Sequence, residues 1–290
     1  MTKFGLTSFL VFSLVFLVLA ASCGGESSTG NASEIAQTAK PEDIAEAIMH
    51  FNDGVALDAQ GRYEESIPEY TEAIRLSPDA SGAYLNRGIA SFRLGQYQQA
   101  IEDYGETLKL SPQDAVTHNA RGQAYGILGE FELAIQDLNQ AIVINPQFGI
   151  AYSIRGTSYL NRGLFEGDIE FIGLAVDSYD DAIRLISDPQ LEELGAESRM
   201  GGSRDQRLAN AYDGRGRAHF MLGQLETAIH DLNEATRLNA QLPLSYAIRA
   251  RALTLLGNDQ GAQEDVESAV ALGMDRTQLE TAIEEIRQAR

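Results

Sequence analysis

Residues 81–148 read SGAYLNRGIASFRLGQYQQAIEDYGETLKLSPQD followed by AVTHNARGQAYGILGEFELAIQDLNQAIVINPQF, two 34-residue segments that align without a gap. Gly88 aligns with Gly122, Gly95 with Gly129 and Pro112 with Pro146. The same markers extend outward. One series runs Gly54, Gly88, Gly122, Gly156 and Gly216; a second runs Gly61, Gly95, Gly129, Gly163, Gly223 and Gly257; a third runs Pro78, Pro112 and Pro146. Steps in the glycine series are 34 residues, except for one of 60. Between markers the apolar residues are spaced for helices, as at Ala100, Ile101, Tyr104 and Leu108. Each unit is therefore expected to be a helix, a tight turn at the second glycine, and a second helix that its proline ends. A fixed period of this length is the mark of a stacked repeat array.

This pattern resembles the tetratricopeptide repeat, whose small residues stand at positions 8, 20 and 27, bulky ones at 4, 11, 17 and 24, and proline at 32. Unit two, from Ser81, supplies Tyr84, Gly88, Tyr97, Ala100, Tyr104 and Pro112. Unit three, from Ala115, supplies Gly122, Tyr125, Phe131, Ala134, Leu138, Ala141 and Pro146. Unit one, from Ala47, has Ser66 in place of alanine; unit five, from Ala209, has Tyr212, Gly216, Leu225, Ala228 and Leu232. Unit six, from Pro243, departs most, with Asp259 where an aromatic is usual. The resemblance implies an all-α fold, a right-handed α-solenoid of helix-turn-helix units at 47–80, 81–114, 115–148, 149–208, 209–242 and 243–274. Residues 41–46 extend the first helix. One unit cannot bury its own apolar face, so the units must stack and the ends must be capped. Residues 275–290 read as a capping helix with Leu279, Ile283 and Ile286 on one face.

Arginine recurs at position 7 (Arg87, Arg121, Arg155, Arg215, Arg249) and an acid at position 23 (Glu69, Asp103, Asp137, Asp231, Asp265). Second helices pack on the next unit's first helix, which predicts inter-repeat pairs Glu69–Arg87, Asp103–Arg121, Asp137–Arg155 and Asp231–Arg249. Unit four is irregular. Tyr152, Gly156, Tyr159, Gly163 and Phe165 stand in register, and the second half resumes at Ala175, Tyr179 and Ala182, which implies seven inserted residues. A further 19 residues precede unit five; within them Leu191-Glu192-Glu193-Leu194 reads as a helical turn. Asp177, Asp180 and Asp181 lack the glycine and distal glutamate of a calcium loop and read as a solvated face.

The N-terminus reads as an address. Lys3 precedes an uncharged run from Phe4 to Ser22, the layout of an export signal. Leu19-Ala20-Ala21-Ser22-Cys23 resembles the bacterial lipoprotein signal, which implies that 1–22 are removed and that Cys23 is lipidated. An uncleaved membrane helix and ordinary cleavage that leaves a free thiol are the alternatives. Residues 23–40 form a polar tether, rich in Gly and Ser at its start. Gly24 is not the aspartate linked with inner-membrane retention.

Composition narrows the function. The 290 residues carry 22 Lys+Arg against 42 Asp+Glu, a net charge of −20, which argues against nucleic acid and against an anionic lipid surface. The lone cysteine excludes a disulfide framework and a cysteine-rich metal site. No hydrolase, metalloprotease or phosphate-loop motif is present. His50, His118 and His219 fall at packing positions. The expectation is a non-catalytic protein without cofactor or metal that binds protein or peptide partners. The resemblance puts the binding groove at positions 2, 5, 9 and 12 of the first helices. These give Ile48, Phe51, Val55, Leu85, Ile89 and Phe92 early, Asn119, Gln123, Ser153 and Thr157 midway, and Asp213, Arg217, Phe220 and Arg251 late. An apolar early groove suits an amphipathic helix or extended segment, with Arg217 and Arg251 taking an acidic group. Some lipoproteins with this repeat serve pilus assembly, outer-membrane assembly or recruitment of cell-wall hydrolases. Two other readings stay open: an enzyme or accessory subunit using residues 166–208, and a self-associating structural protein.

Overall fold

The computed structural model describes residues 41–188 and 202–289. The signal segment, Cys23, the tether and Leu191–Leu194 lie outside the described residues. Among the described residues there are thirteen helices and no strand. They are α1 (Pro41–Asp58), α2 (Tyr63–Leu76), α3 (Ser81–Arg93), α4 (Tyr97–Leu110), α5 (Ala115–Ile127), α6 (Phe131–Ile144) and α7 (Gly149–Glu166). After them come α8 (Ile169–Ser187), α9 (Arg204–Met221), α10 (Leu225–Leu238), α11 (Pro243–Leu255), α12 (Asp259–Ala271) and α13 (Arg276–Ala289). From residue 46 onward the described residues form an all-α repeat solenoid. From α3 on, each helix packs on its sequence neighbours, and successive first helices touch. No described helix is long and apolar enough to cross a membrane.

Five of the six hairpins close on one contact. A large side chain at position 24 of the second helix lies against the backbone of the glycine at position 8 of the first. A Cβ on Gly54 would stand 2.6 Å from the Tyr70 ring, on Gly88 2.7 Å from Tyr104, on Gly122 2.8 Å from Leu138, and on Gly216 2.9 Å from Leu232. At position 20, Ser66, Ala100, Ala134, Ala175, Ala228 and Ala262 are fully buried. Small residues there let the helix axes approach, and the bulky ones fill the space between units. The turn glycines Gly61, Gly95, Gly129, Gly223 and Gly257 have positive φ, where a Cβ would be strained. At the far end Leu279 and Ile283 of α13 cover Ala247, Ala250 and Val266, while Glu280, Glu284 and Glu285 stay exposed.

Unit four corrects two expectations. Gly163 is not a turn residue: it lies inside α7, where a Cβ would meet Asp168 O and Ile172 at 2.9 Å. The positive-φ turn has moved to Gly167, because α7 and α8 each run five residues longer than α5 and α6. Phe165 therefore misses the packing position it was read into and is 84% exposed. Ile172, seven residues on, is buried instead against Ala175 and Leu160.

The arginine ladder also differs from expectation. The forks close within a repeat, not between repeats. Nε and Nη2 of Arg87 donate to Asp103 at 3.0 and 2.7 Å, and the same two atoms of Arg121 donate to Asp137 at 2.7 and 2.8 Å. Arg215 pairs with Asp231 at 2.8 and 2.7 Å, and Arg249 with Asp265 at 2.8 and 2.6 Å. Position 7 lies one helical turn from position 4 and faces its own second helix. The carboxylate within reach is thus the one 16 residues later. In unit four Ser178 stands where the acid would be and accepts from Arg155 Nε at 3.2 Å. An inter-repeat tie does exist, through Nη1 and position 25 of the preceding unit. Arg87 reaches Thr71 (3.1 Å), Arg155 reaches Asn139 (2.9 Å), Arg215 reaches Asp180 (2.6 Å) and Arg249 reaches Asn233 (2.8 Å). Each of these four guanidiniums also lies 5.1–5.7 Å from the centroid of the tyrosine three residues before it. Unit one has Asp53 at position 7, and its Glu69 is met by His50 Nδ1 at 2.6 Å. That hydrogen bond raises the His50 pKa, against a smaller opposing effect of burial.

Two stability predictions follow from these contacts. Gly214 abuts the Tyr179 ring so closely that a Cβ would overlap it, whereas Gly173 in α8 has open space around it. Gly214→Ala should cost about 1–3 kcal/mol of unfolding free energy from overpacking. Gly173→Ala should add roughly 0.5–1 kcal/mol from helix propensity. Urea titrations of both variants giving changes of the same sign would contradict this packing. Asp231 is fully buried and the partner of Arg215. Asp231→Ala should cost about 1.5–3 kcal/mol, since Arg215 loses its charged hydrogen bonds to Asp231 and keeps only Asp180. The inter-repeat partner Asn233, changed to Ala, should cost about 1 kcal/mol. Equal losses in the two would show that the two bonds do not differ as their burial implies.

Candidate functional site

The groove positions are carried on α1, α3, α5, α7, α9 and α11, the first helix of each unit. The early ones are partly spent on packing. Leu85, Ile89 and Phe92 lie against the buried cluster of Ala100, Tyr104 and Ala120. Phe92 meets Tyr97 edge-on at 5.2 Å, and Phe51 meets Tyr70 at 6.0 Å. Val55 and Ile48 are exposed at 40% and 38%. The late positions pair among themselves: Arg251 stacks over Phe220 at 5.3 Å, and Arg217 Nη1 lies 3.6 Å from Asp213 Oδ2. Asp213 also accepts a 2.5 Å hydrogen bond from Ser245 Oγ.

The middle of the groove differs. Asn119, Gln123 and Ser153 line a pocket of about 100 Å³, together with Ile150, Ile154, Ile186, Arg207 and Asn210. Asn119 is 1% exposed, yet neither its Oδ1 nor its Nδ2 has a hydrogen-bond partner within the protein. A buried amide left unmatched costs about 1–3 kcal/mol, so packing alone does not account for this residue. Arg207 brings a guanidinium to the wall; it is 7% exposed and donates from Nη1 to Gly202 O at 3.4 Å. The pocket exists here because α9 starts at Arg204, five residues before the repeat register begins at Ala209, and carries Arg207 and Asn210 to the wall.

Thr157 is the one middle residue not in the pocket lining. Its Oγ1 lies 3.0 Å from the hydroxyl of Tyr179, which crosses from α8 to reach it. Burial pushes the Tyr179 pKa up to about 12, against the opposing hydrogen bond to Thr157, so the phenol stays neutral at physiological pH. Sequence reasoning found Asn119, Gln123 and Ser153 but missed Asn210 and Arg207. Asn210 holds position 2 of unit five and was recoverable from the register. Arg207 falls in the stretch read as an insertion and had no register to reveal it.

The histidines do not converge. His118 Nδ1 lies 3.0 Å from Asp137, His219 Nδ1 2.5 Å from Gln224, and His230 is largely exposed on α10. Asp180 and Asp181 are matched by Arg215 and Arg184. Among the described residues no group of three or more His, Cys, Asp or Glu side chains could hold a metal ion.

Two family models, both described as tetratricopeptide repeat, match residues 51–115 and 115–148. No curated protein sequence matches the chain. Among solved structures, the APC/C hetero-tetramer Cut9–Hcn1 contains a similar chain at TM-score 0.67 and 14% identity, covering 93% of this chain and 45% of that one. This chain thus spans less than half the length of that relative. PilF of Pseudomonas aeruginosa is similar at TM-score 0.64 and 13% identity, covering 86% of this chain and 100% of that one. PilW, a type IV pilus biogenesis factor, gives TM-score 0.62 and 18% identity, with 80% and 96% covered. At such identities the likeness is one of fold. The family models thus identify tetratricopeptide repeats over residues 51–148, and helical hairpins of the same kind are described on to residue 289.

Proposed function

We propose that this chain is a non-catalytic adaptor of a bacterial cell envelope, anchored by lipid on Cys23, which holds a segment of a partner protein in its groove. The observation that carries the groove reading is the polar lining of the pocket, Gln123, Ser153 and Asn210, with the unmatched Asn119 amide buried just behind it. An amide presents a donor and an acceptor side by side and suits a peptide group or carboxamide of a partner. Gln123, Ser153 and Asn210 surround it with further polar atoms. The apolar positions Val55 and Ile48 give the partner's chain a greasy track at the other end. The anchor rests on the sequence around Cys23 and on the small, polar residues that follow it. Two or more acyl chains, at about 0.8 kcal/mol per buried methylene, hold a protein of this size at a bilayer. PilW, which shares the fold, is named for pilus biogenesis, and an adaptor working at the envelope fits that company.

Two measurements test this reading. Asn119→Leu should raise the unfolding free energy by about 1–2 kcal/mol, since an unmatched amide gives way to an apolar group. The same variant should lose the partners that photo-crosslinking probes at Gln123 or Ser153 capture in cells. A variant that is less stable yet captures the same partners would sink the groove assignment. Separately, Cys23→Ser should move the protein out of the membrane fraction and abolish incorporation of labelled palmitate; retention of the label would refute the anchor.

A further inference from the structure

The lengthened hairpin of unit four ends in an apolar tip with an acidic rim. Phe165 is 84% exposed, Ile169 64% and Leu164 44%. The Phe165 ring also lies 6.5 Å from that of Phe131 on the neighbouring unit, so the tip continues onto unit three. Glu130, Glu132, Glu166, Asp168 and Glu170 surround it, all but Asp168 exposed. The cation beside them is turned inward. Arg162 lies 4.1 Å over the Phe171 ring and bonds Glu132 at 2.8 Å and Glu166 at 3.0 Å. Tyr159 stacks on Phe171 at 6.3 Å. Asp168 caps α8 by accepting from Glu170 N at 2.9 Å. The tip is thus braced from within and presents apolar side chains and carboxylates outward.

We infer that this tip is a second docking surface, separate from the groove, and that its occupant is a cationic amphipathic segment of a partner protein. The charge selects the occupant. Five carboxylates against one arginine match lysine and arginine flanking an apolar face. A second copy of a chain with net charge −20 would bring the same acids to the contact, and an anionic bilayer would be repelled likewise. The hairpin gives the apolar residues reach, because it projects beyond the turns of its neighbours rather than filling the space between them.

The chain contains no tryptophan, so Phe165→Trp places a single fluorescent reporter on the tip. The full-length variant is carried in phosphatidylcholine vesicles and titrated with a helical peptide of Leu and Lys, then with its Leu and Glu counterpart. The expected result is a blue shift with the Lys peptide at a concentration at least tenfold below that needed with the Glu peptide. Adding Glu132→Gln, Glu166→Gln and Glu170→Gln, or Ile169→Ser, should weaken that response at least fivefold. Val143→Trp is the control. Val143 is 71% exposed on α6, about 18 Å along the helix from Phe131 at 1.5 Å per residue. Four results would overturn the proposal: equal response to both peptides; an equal shift at Val143→Trp; emission already blue-shifted in vesicles without peptide, which would mean a membrane seat; and a shift that grows with protein concentration alone, which would mean self-association.

Discussion

The array depends on a missing carbon. At Gly54, Gly88, Gly122, Gly156 and Gly216 the first helix offers bare backbone to a tyrosine or leucine of the second. In those five hairpins that contact sets the distance between the two helices. The distance fixes how far the next hairpin is displaced, and the repeated displacement makes the solenoid. Because each unit touches chiefly its neighbours, stability accumulates along the array rather than in one central core. The buried residues reflect this: alanines at the closest approaches, with a few large side chains such as Tyr104, Leu138, Tyr179 and Leu232 between them.

Polar chemistry is laid over this packing with a division of labour. The guanidinium forks of Arg87, Arg121, Arg215 and Arg249 bind a carboxylate of their own hairpin, and in Arg87, Arg155, Arg215 and Arg249 the remaining nitrogen reaches the hairpin before. The fork is nearly buried on the acid side: Asp103, Asp137, Asp231 and Asp265 are at most 6% exposed. Buried pairs of this kind contribute less to net stability than to fixing one arrangement, because their desolvation offsets much of their attraction. The stacking of Arg87, Arg155, Arg215 and Arg249 on Tyr84, Tyr152, Tyr212 and Tyr246 restricts each guanidinium further.

Periodicity made the fold readable. Glycine and proline at a constant step declare a hairpin and its turn before any contact is known. It also placed Asn119, Gln123 and Ser153 on one face. Three things escaped it. The partner of each arginine depends on which way a long side chain points, and repeat numbering says only which helices are adjacent. The fate of Phe165 depended on where seven extra residues enter; they enter at the turn, and a residue that looked in register was carried out of it. Asn119 looked like any polar groove residue in the sequence. That its amide is both enclosed and unmatched is a property of the surrounding side chains, and only the assembled structure shows it.

The tie between hairpins is not uniform along the array. At position 25 the chain has Thr71, Asn139, Asp180 and Asn233, but between units two and three it has Gly105, whose backbone faces Arg121 with no side chain to accept. That seam lacks the arginine tie, and its directional bond lies instead at the loop, where His118 Nε2 stands 3.1 Å from Pro112 O. The two seams on either side carry the tie. A spring of this construction has one coil without its regular rivet, and that coil is the one just ahead of the pocket.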